Sequence, residues 1–327
     1  MDSPRNILRT IKAGKRILIP LHLRPDGDSV GSALACYHFL QGLGKKITLV
    51  SADPIPDTFG FLTGIKRVRI GDPAKLDLSR FDLLLFVDHS EAGRLSNKEG
   101  FSLPSKMVVI NIDHHITNPN FGDLNYVDST APSTAEILYD LLRRWKAKIT
   151  PTIADCLLTG IYTDTGGFLY SSTVPSSFTK ASQLIRLGAD RSKVVENSFR
   201  SWPPRTIATW SLILSNSHRR DKLIYSHLSF KEVQGLKTKL EDLSPARSFA
   251  TNNLLLAMRG VKVSAMFTEE KPHLIRASLR SKAGVNVANI AKRMGGGGHE
   301  SAAAFEYRGP LNEAISKTVK LLKNAVD

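Results

Sequence analysis

Four separate stretches of the chain carry groups able to bind a cation. His22, Asp26 and Asp28 stand within seven positions in HLRPDGDS. Asp88 closes the apolar run LLLFVD, Asp113, His114 and His115 close VVINIDHH, and Asp164 ends the apolar helical pattern of LLTGIYTDTGG. Taken singly, each has an ordinary explanation. Pro25, Asp26 and Gly27 make good turn chemistry, and Asp28 or Ser29 would serve as a helix N-cap. A lone histidine near a strand end is more often a satisfied interface residue than a ligand. The set is harder to explain in that way, because so many carboxylates brought to one edge would repel one another and raise each other's pKa. A pair of divalent cations resolves the conflict, since cations favour deprotonated carboxylates and neutral imidazoles.

The elements that must position these groups follow from hydrophobic periodicity. RILIPLH, KKITLVS, FDLLLFVD and MVVINIDHH read as short strands. SVGSALACYHFLQGLG, STAEILYDLLRRW and TIADCLLTGIYTDTGG read as helices between and after them. Such alternation predicts βαβ units and a mostly parallel sheet, in which ligands bind beyond the carboxyl ends of the strands. Ser133 and Glu136 in STAE read as a capping box. MDSPRNILRTIKAGK reads as a short amphipathic helix rather than a secretory leader. Near Leu187 the pattern weakens, so residues 1–187 are expected to form one domain, 188–205 a linker, and 206–327 a smaller mixed α/β domain with strands near KLIYSHLS, VKVSAMFT and HLIRASLR.

Composition narrows the class. At 327 residues, two domains are the default expectation. No apolar run approaches the roughly 20 residues of a membrane span, so no membrane partner is expected. The two cysteines, Cys36 and Cys156, lie in apolar helical patterns and read as buried free thiols in a reducing cytoplasm. The formal charge of +15 is uneven. From residue 200 onward 21 Lys and Arg face 10 Asp and Glu, a net +11, against 24 and 20, or +4, before it. That suits a polyanionic or phosphorylated substrate as well as a generally basic surface.

In the second half, the glycine run ending Gly296, Gly297 and Gly298 before His299 would let the backbone approach an anion and turn N–H groups toward it. Arg280 lies near the end of an expected strand, where its guanidinium could take a phosphate bidentately. Arg94 and Arg276 suit either a phosphate or the surface.

HLRPDGDSVGS, FVDHS, DHH and GIYTDTGGF resemble the four motifs of the DHH phosphoesterases, and ASLRS…VNVANIAKRMGGGGHESAAAF resembles the DHHA1 domain that follows them in many members. The resemblance implies an α/β fold: a doubly wound, mostly parallel DHH sheet, then a DHHA1 domain, with the active site in the cleft between them. It implies two divalent cations, usually Mn²⁺, with Mg²⁺ or Co²⁺ as alternatives; oxygen and imidazole donors without thiolate agree. By motif match, His22 and Asp26 would ligate one cation, Asp28, His114 and Asp164 the other, with Asp88 bridging. Asp113 would orient His114, and His115 would face the scissile phosphate. Arg280 and His299 would hold the substrate's terminal phosphate, with Asn286 at a further recurrent position. The chain's compact form is similar to the nanoRNases that also dephosphorylate 3′-phosphoadenosine 5′-phosphate (pAp). Short RNA, pAp or signalling dinucleotides such as c-di-AMP, pApA and pGpG are the implied substrates. A non-catalytic nucleic-acid-binding protein on this fold is the contrasting alternative. A homodimer is compatible with the resemblance.

Overall fold

In the computed structural model, residues 1–96, 107–237, 240–282 and 284–326 are described. The apolar runs of the first half become six strands, β1 (Arg16–Leu21), β2 (Lys46–Ser51), β3 (Val68–Ile70), β4 (Leu83–Val87), β5 (Val108–Asp113) and β6 (Leu124–Val127). They form one parallel sheet in the order β3-β2-β1-β4-β5-β6. β1 is buried beyond its first residue and β4 throughout, because apolar layers cover both faces. Ile17, Ile19, Leu83 and Leu85 face one layer, and Leu18, Leu84 and Phe86 the other. The order grows outward in both directions from the β1/β4 pair, so the topological switch point lies between them. His22 follows β1 and Asp88 follows β4.

The helices of this unit are α1 (Pro4–Ala13), α2 (Gly27–Gly42), α3 (Thr134–Arg144), α4 (Pro151–Asp164), α5 (Pro175–Arg186) and α6 (Arg191–Val195). α2 and α4 approach unusually closely. A Cβ on Gly27 would lie 2.3 Å from the Thr163 side chain, one on Gly31 2.3 Å from the Cys156 carbonyl oxygen, and one on Gly160 2.5 Å from the Asp28 carboxylate. This contact brings Asp28 and Asp164 to the same end of the sheet. Each helix also buries a thiol, Cys36 on α2 and Cys156 on α4. Burial pushes Cys36 up to about 12 and Cys156 higher still.

The chain divides into Met1–Ser201 and Trp202–Asp327. The segment 188–205, expected to be a linker, contains this division and is largely helical: α6 continues into a π-turn over Glu196–Arg200, and Val194 is fully buried. The polarity that suggests a linker belongs to the outward faces of these short helices. The second unit comprises α7 (Pro204–Ser215), β7 (His218–Arg220), β8 (Leu223–Leu228), α8 (Phe230–Gly235), α9 (Leu240–Phe249), β9 (Val263–Lys271), β10 (Leu274–Ser281), α10 (Val287–Arg293), β11 (Gly297–His299), β12 (Ala302–Arg308) and α11 (Leu311–Val326). Its mixed sheet runs β11-β12-β10-β9-β8-β7, with β8 and β9 parallel and the other pairs antiparallel.

Candidate metal centre

The carboxyl ends of β1, β4 and β5 and the facing ends of α2 and α4 converge on Asp88. This residue is 2 % exposed and holds a φ of +63°, a conformation unfavourable for a side chain with a Cβ. Its backbone N–H donates to the Ile112 carbonyl at 3.0 Å, tying the strained residue to β5. One carboxylate oxygen then lies 3.3 Å from His22 Nε2, and the other 3.5 Å from His114 Nε2. His22 Nε2 is also 3.7 Å from Asp26, and His114 Nε2 3.4 Å from Asp164. Asp88 thus belongs to three potential ligand clusters, His22/Asp26/Asp88, Asp28/Asp88/His114 and Asp88/Asp113/His115.

In both imidazoles the other nitrogen faces a backbone carbonyl. His22 Nδ1 is 2.8 Å from the Leu23 carbonyl, and His114 Nδ1 is 3.3 Å from that of Ala131. A carbonyl only accepts, so Nδ1 carries a proton, and Nε2 is the atom that faces the carboxylates and would give its lone pair to a cation held there. Arg94 Nη2 stands 3.3 Å from His22 Nδ1. Since Nδ1 already donates to Leu23, the guanidinium acts there as a charge. Two donors at right angles around a Mg²⁺-sized ion are about 3 Å apart, close to the observed separations. The donor set of nitrogen and oxygen suits Mn²⁺ or Mg²⁺, and the residues fit the implied cations.

The electrostatics point the same way. Asp28 is fully buried, and burial together with Asp88 and Asp26 pushes its carboxyl well above the usual range. It nonetheless accepts from the N–H groups of Thr134 at 2.6 Å and Ala135 at 2.9 Å, the first turn of α3. Asp164 is likewise raised, by burial and then by Asp28, Asp26 and Asp88. Burial and Arg94 press His22 down, but Asp26 and Asp88 outweigh them and hold it at about 9. Without a cation, carboxylates so crowded keep protons they would otherwise lose.

The expected site residues of the first unit are therefore brought together, with one correction. Asp113 does not orient His114. Its Oδ1 is 2.7 Å from His115 Nδ1, and its Oδ2 accepts from Asn118 Nδ2 at 2.6 Å. Side chains two apart leave a strand on the same side, so Asp113 lies with His115. This bond raises His115 above its ordinary pKa against the opposing effect of burial. Ser133 caps α3 as expected by accepting from the Glu136 N–H, but Glu136 pairs with Lys180 at 3.1 Å. In the second unit, Gly297–His299 is a strand, and Gly296 and Gly298 leave no room for a Cβ beside β12. Packing accounts for those two glycines. Asn286 caps α10 through the Asn289 N–H and donates to Glu300. Arg280 donates to the Leu279 carbonyl, and Arg276 pairs with Glu306.

Sequence reasoning misses three residues that support this centre. Asn118 Nδ2 bridges Asp113 and the His89 carbonyl at 2.9 Å, joining the exits of β4 and β5. Its only signal is a polar residue in the turn after DHH. His89 is fully buried against Phe86 and His22, and burial pushes it down to about 3. It thus stays neutral beside the charged cluster. Thr134 donates its hydroxyl to Asp88 at 3.3 Å.

A family model described as "DHH family, N-terminal domain" matches residues 16–161, and one described as "DHHA1 domain" matches 232–326. The chain is 33 % identical, over 94 % of its length, to a Thermus thermophilus protein named bifunctional oligoribonuclease and PAP phosphatase NrnA, and covers 89 % of that protein. It is 27 % identical, over 97 % of its length, to a Listeria monocytogenes protein named cyclic-di-AMP phosphodiesterase PdeA, of which it spans 48 %. A solved exopolyphosphatase-related protein from Bacteroides fragilis shares the fold, with a TM-score of 0.87 at 24 % identity over 98 % of this chain and 95 % of that one.

Proposed function

The chain belongs to the DHH family, its DHH domain followed by a DHHA1 domain, and from this we propose that it is a cation-dependent phosphoesterase acting on short oligoribonucleotides and on pAp. The observation that carries this reading is that Asp88 is shared by the His22/Asp26 cluster and the Asp28/His114 cluster. We assign His22, Asp26 and Asp88 to one cation, and Asp28, Asp88, His114 and Asp164 to the other, with Mn²⁺ the preferred ion and Mg²⁺ or Co²⁺ as alternatives. Two such cations supply Lewis acidity toward the phosphoryl oxygens and toward water. The protein's own groups do the positioning. Asp113 fixes the His115 ring and favours its protonated form, so His115 Nε2 is assigned to an anionic oxygen of the scissile phosphate. Asn118 holds Asp113 in turn. Arg280 and His299 of the second unit are assigned to the terminal phosphate, and the substrate choice follows the name of the Thermus relative.

A second reading, hydrolysis of signalling dinucleotides, is favoured by the name of the Listeria relative. One panel separates the two: pAp, pApA, c-di-AMP, RNAs of two to five nucleotides, long RNA and pyrophosphate, each with Mn²⁺. The first reading expects the highest kcat/KM on pAp and the short RNAs. A preference of tenfold or more for c-di-AMP would replace it with the second. Asp88→Ala should lose at least about a hundredfold in rate, more than removing a group that merely orients a ligand. Activity within tenfold of the parent at saturating Mn²⁺ would refute the bridging role.

A further inference from the structure

Beyond Asp164 the chain makes an unusual turn. Gly166, Gly167 and Phe168 hold φ of +58°, +66° and +71° in succession. A phenylalanine in that region is strained, and such strain persists where the surroundings fix it. Here it sets Phe168 edge-on to Tyr162, with ring centroids 4.9 Å apart, and stacked on Phe178 at 4.7 Å and 24°. Phe178 projects from α5 with 55 % of its surface exposed, and Ile185, seven residues on along the same helix face, is 40 % exposed. These side chains line a groove of about 410 Å³ together with Arg186 and Arg191, and among the described residues no acidic one lines it. Arg191 Nε donates to the Tyr162 hydroxyl at 2.9 Å, which anchors that guanidinium at the groove.

We infer that this groove is a nucleobase platform, taking a base of a short oligoribonucleotide on Phe178 and its backbone phosphate on Arg186 and Arg191. Every base offers a face to an exposed ring, and paired guanidiniums complement the phosphate beside it. A second copy of the chain is the less suitable occupant. A two-fold contact through this patch would bring arginines to face arginines with no acid in the groove. Phe168 lies four residues past Asp164, a reach of at most about 14 Å. At roughly 3.4 Å per stacked nucleotide, the platform meets a base within about four nucleotides of the proposed cleavage point. The inference rests on the proposed phosphoesterase reading and adds a length preference: RNAs of a few nucleotides use the platform, whereas pAp does not.

The test uses the full chain with Mn²⁺, comparing kcat/KM on pAp and on RNAs of three and five nucleotides for the parent, Phe178→Ala, Phe178→Trp and Arg186→Glu. Phe178→Ala should lower kcat/KM on the RNAs by roughly 5- to 150-fold, the range of one lost base stack, and leave pAp unchanged. Phe178→Trp should retain RNA activity, and Arg186→Glu should lose it. Equal effects on pAp and RNA, or none on RNA, overturn the platform. So does a change from dimer to monomer by light scattering in Phe178→Ala with the RNA-to-pAp ratio unchanged, which assigns the patch to self-association. If the parent hydrolyses none of these substrates, the phosphoesterase reading fails, and calorimetric binding of an unlabelled pentanucleotide in EDTA still decides the platform. Fivefold weaker binding by Phe178→Ala supports it, and equal binding rejects it.

Discussion

His22 carries the clearest pH consequence. Its pKa in the folded, cation-free protein is about 9 against 6.5 unfolded. A raised histidine contributes stability that is fully present below pH 6.5 and lost as pH rises toward 9. In EDTA, calorimetry should therefore find the unfolding temperature falling between pH 6.5 and 9, as stability declines by on the order of a few kcal/mol. Mn²⁺ must displace that proton, so its affinity should rise with pH. Titration calorimetry in buffers of different ionisation heat at pH 7.5 should detect at least one proton released on loading, and none would remove His22 from the ligand set. Asp113 adds a related test: Asp113→Asn should move His115, followed by NMR in EDTA, back down toward 6.5, and an unchanged value would show that the carboxylate is not what raises it. The candidate cluster was legible because His22, Asp88 and His114 stand at the ends of apolar strands. The partner of Asp113 was legible in principle, from the same alternation that separates His114 from His115. The roles of His89 and Asn118 were not, since burial and a bridging amide between two loops leave no local pattern.

The helix pair α2 and α4 fixes where Asp28 and Asp164 meet, and glycines set its closeness. At Gly160 an added methyl would stand 2.5 Å from Asp28 and 2.7 Å from Ala135. Alanine is the better helix former by about 1 kcal/mol, but the overlap should win, so Gly160→Ala is expected to lose about 1–3 kcal/mol. Gly42, at the end of α2, has open space around it, and Gly42→Ala should instead gain about 0.4–1 kcal/mol. Denaturant melts of both variants check the sign, and a stabilised Gly160→Ala would mean the helices can part without loss. The existence of these helices was legible from their apolar patterns, but their separation was not. In α2 and α4 buried residues lie on nearly every side, so periodicity gives no face. The first turn of α3 was read as a capping box alone, and its donation to Asp28, more than a hundred residues earlier, is visible only in three dimensions.

The whole chain joins the unit that carries the candidate metal centre to a more basic one, and removing function from each should look different. Arg280→Ala and His299→Ala are expected to raise KM for short RNA tenfold or more while stoichiometric Mn²⁺ remains by metal analysis, because binding and chemistry are separable losses. Loss of Mn²⁺ from either variant would return that residue to the metal centre. The division into two units was legible in outline, from the charge asymmetry and the loss of periodicity near Leu187. The expected linker 188–205 brackets the change of unit at Ser201/Trp202, but its helices were not legible, because short helices with polar outer faces resemble a linker in composition. The two thiols have a use of their own. Cys36 and Cys156 sit one on each of the two helices whose closeness shapes the centre, both sealed from solvent and held as neutral thiols. A thiol reagent reaches them only when the packing around these helices opens, so their rate of labelling is a built-in clock for the opening of that scaffold, and cation loading should slow it.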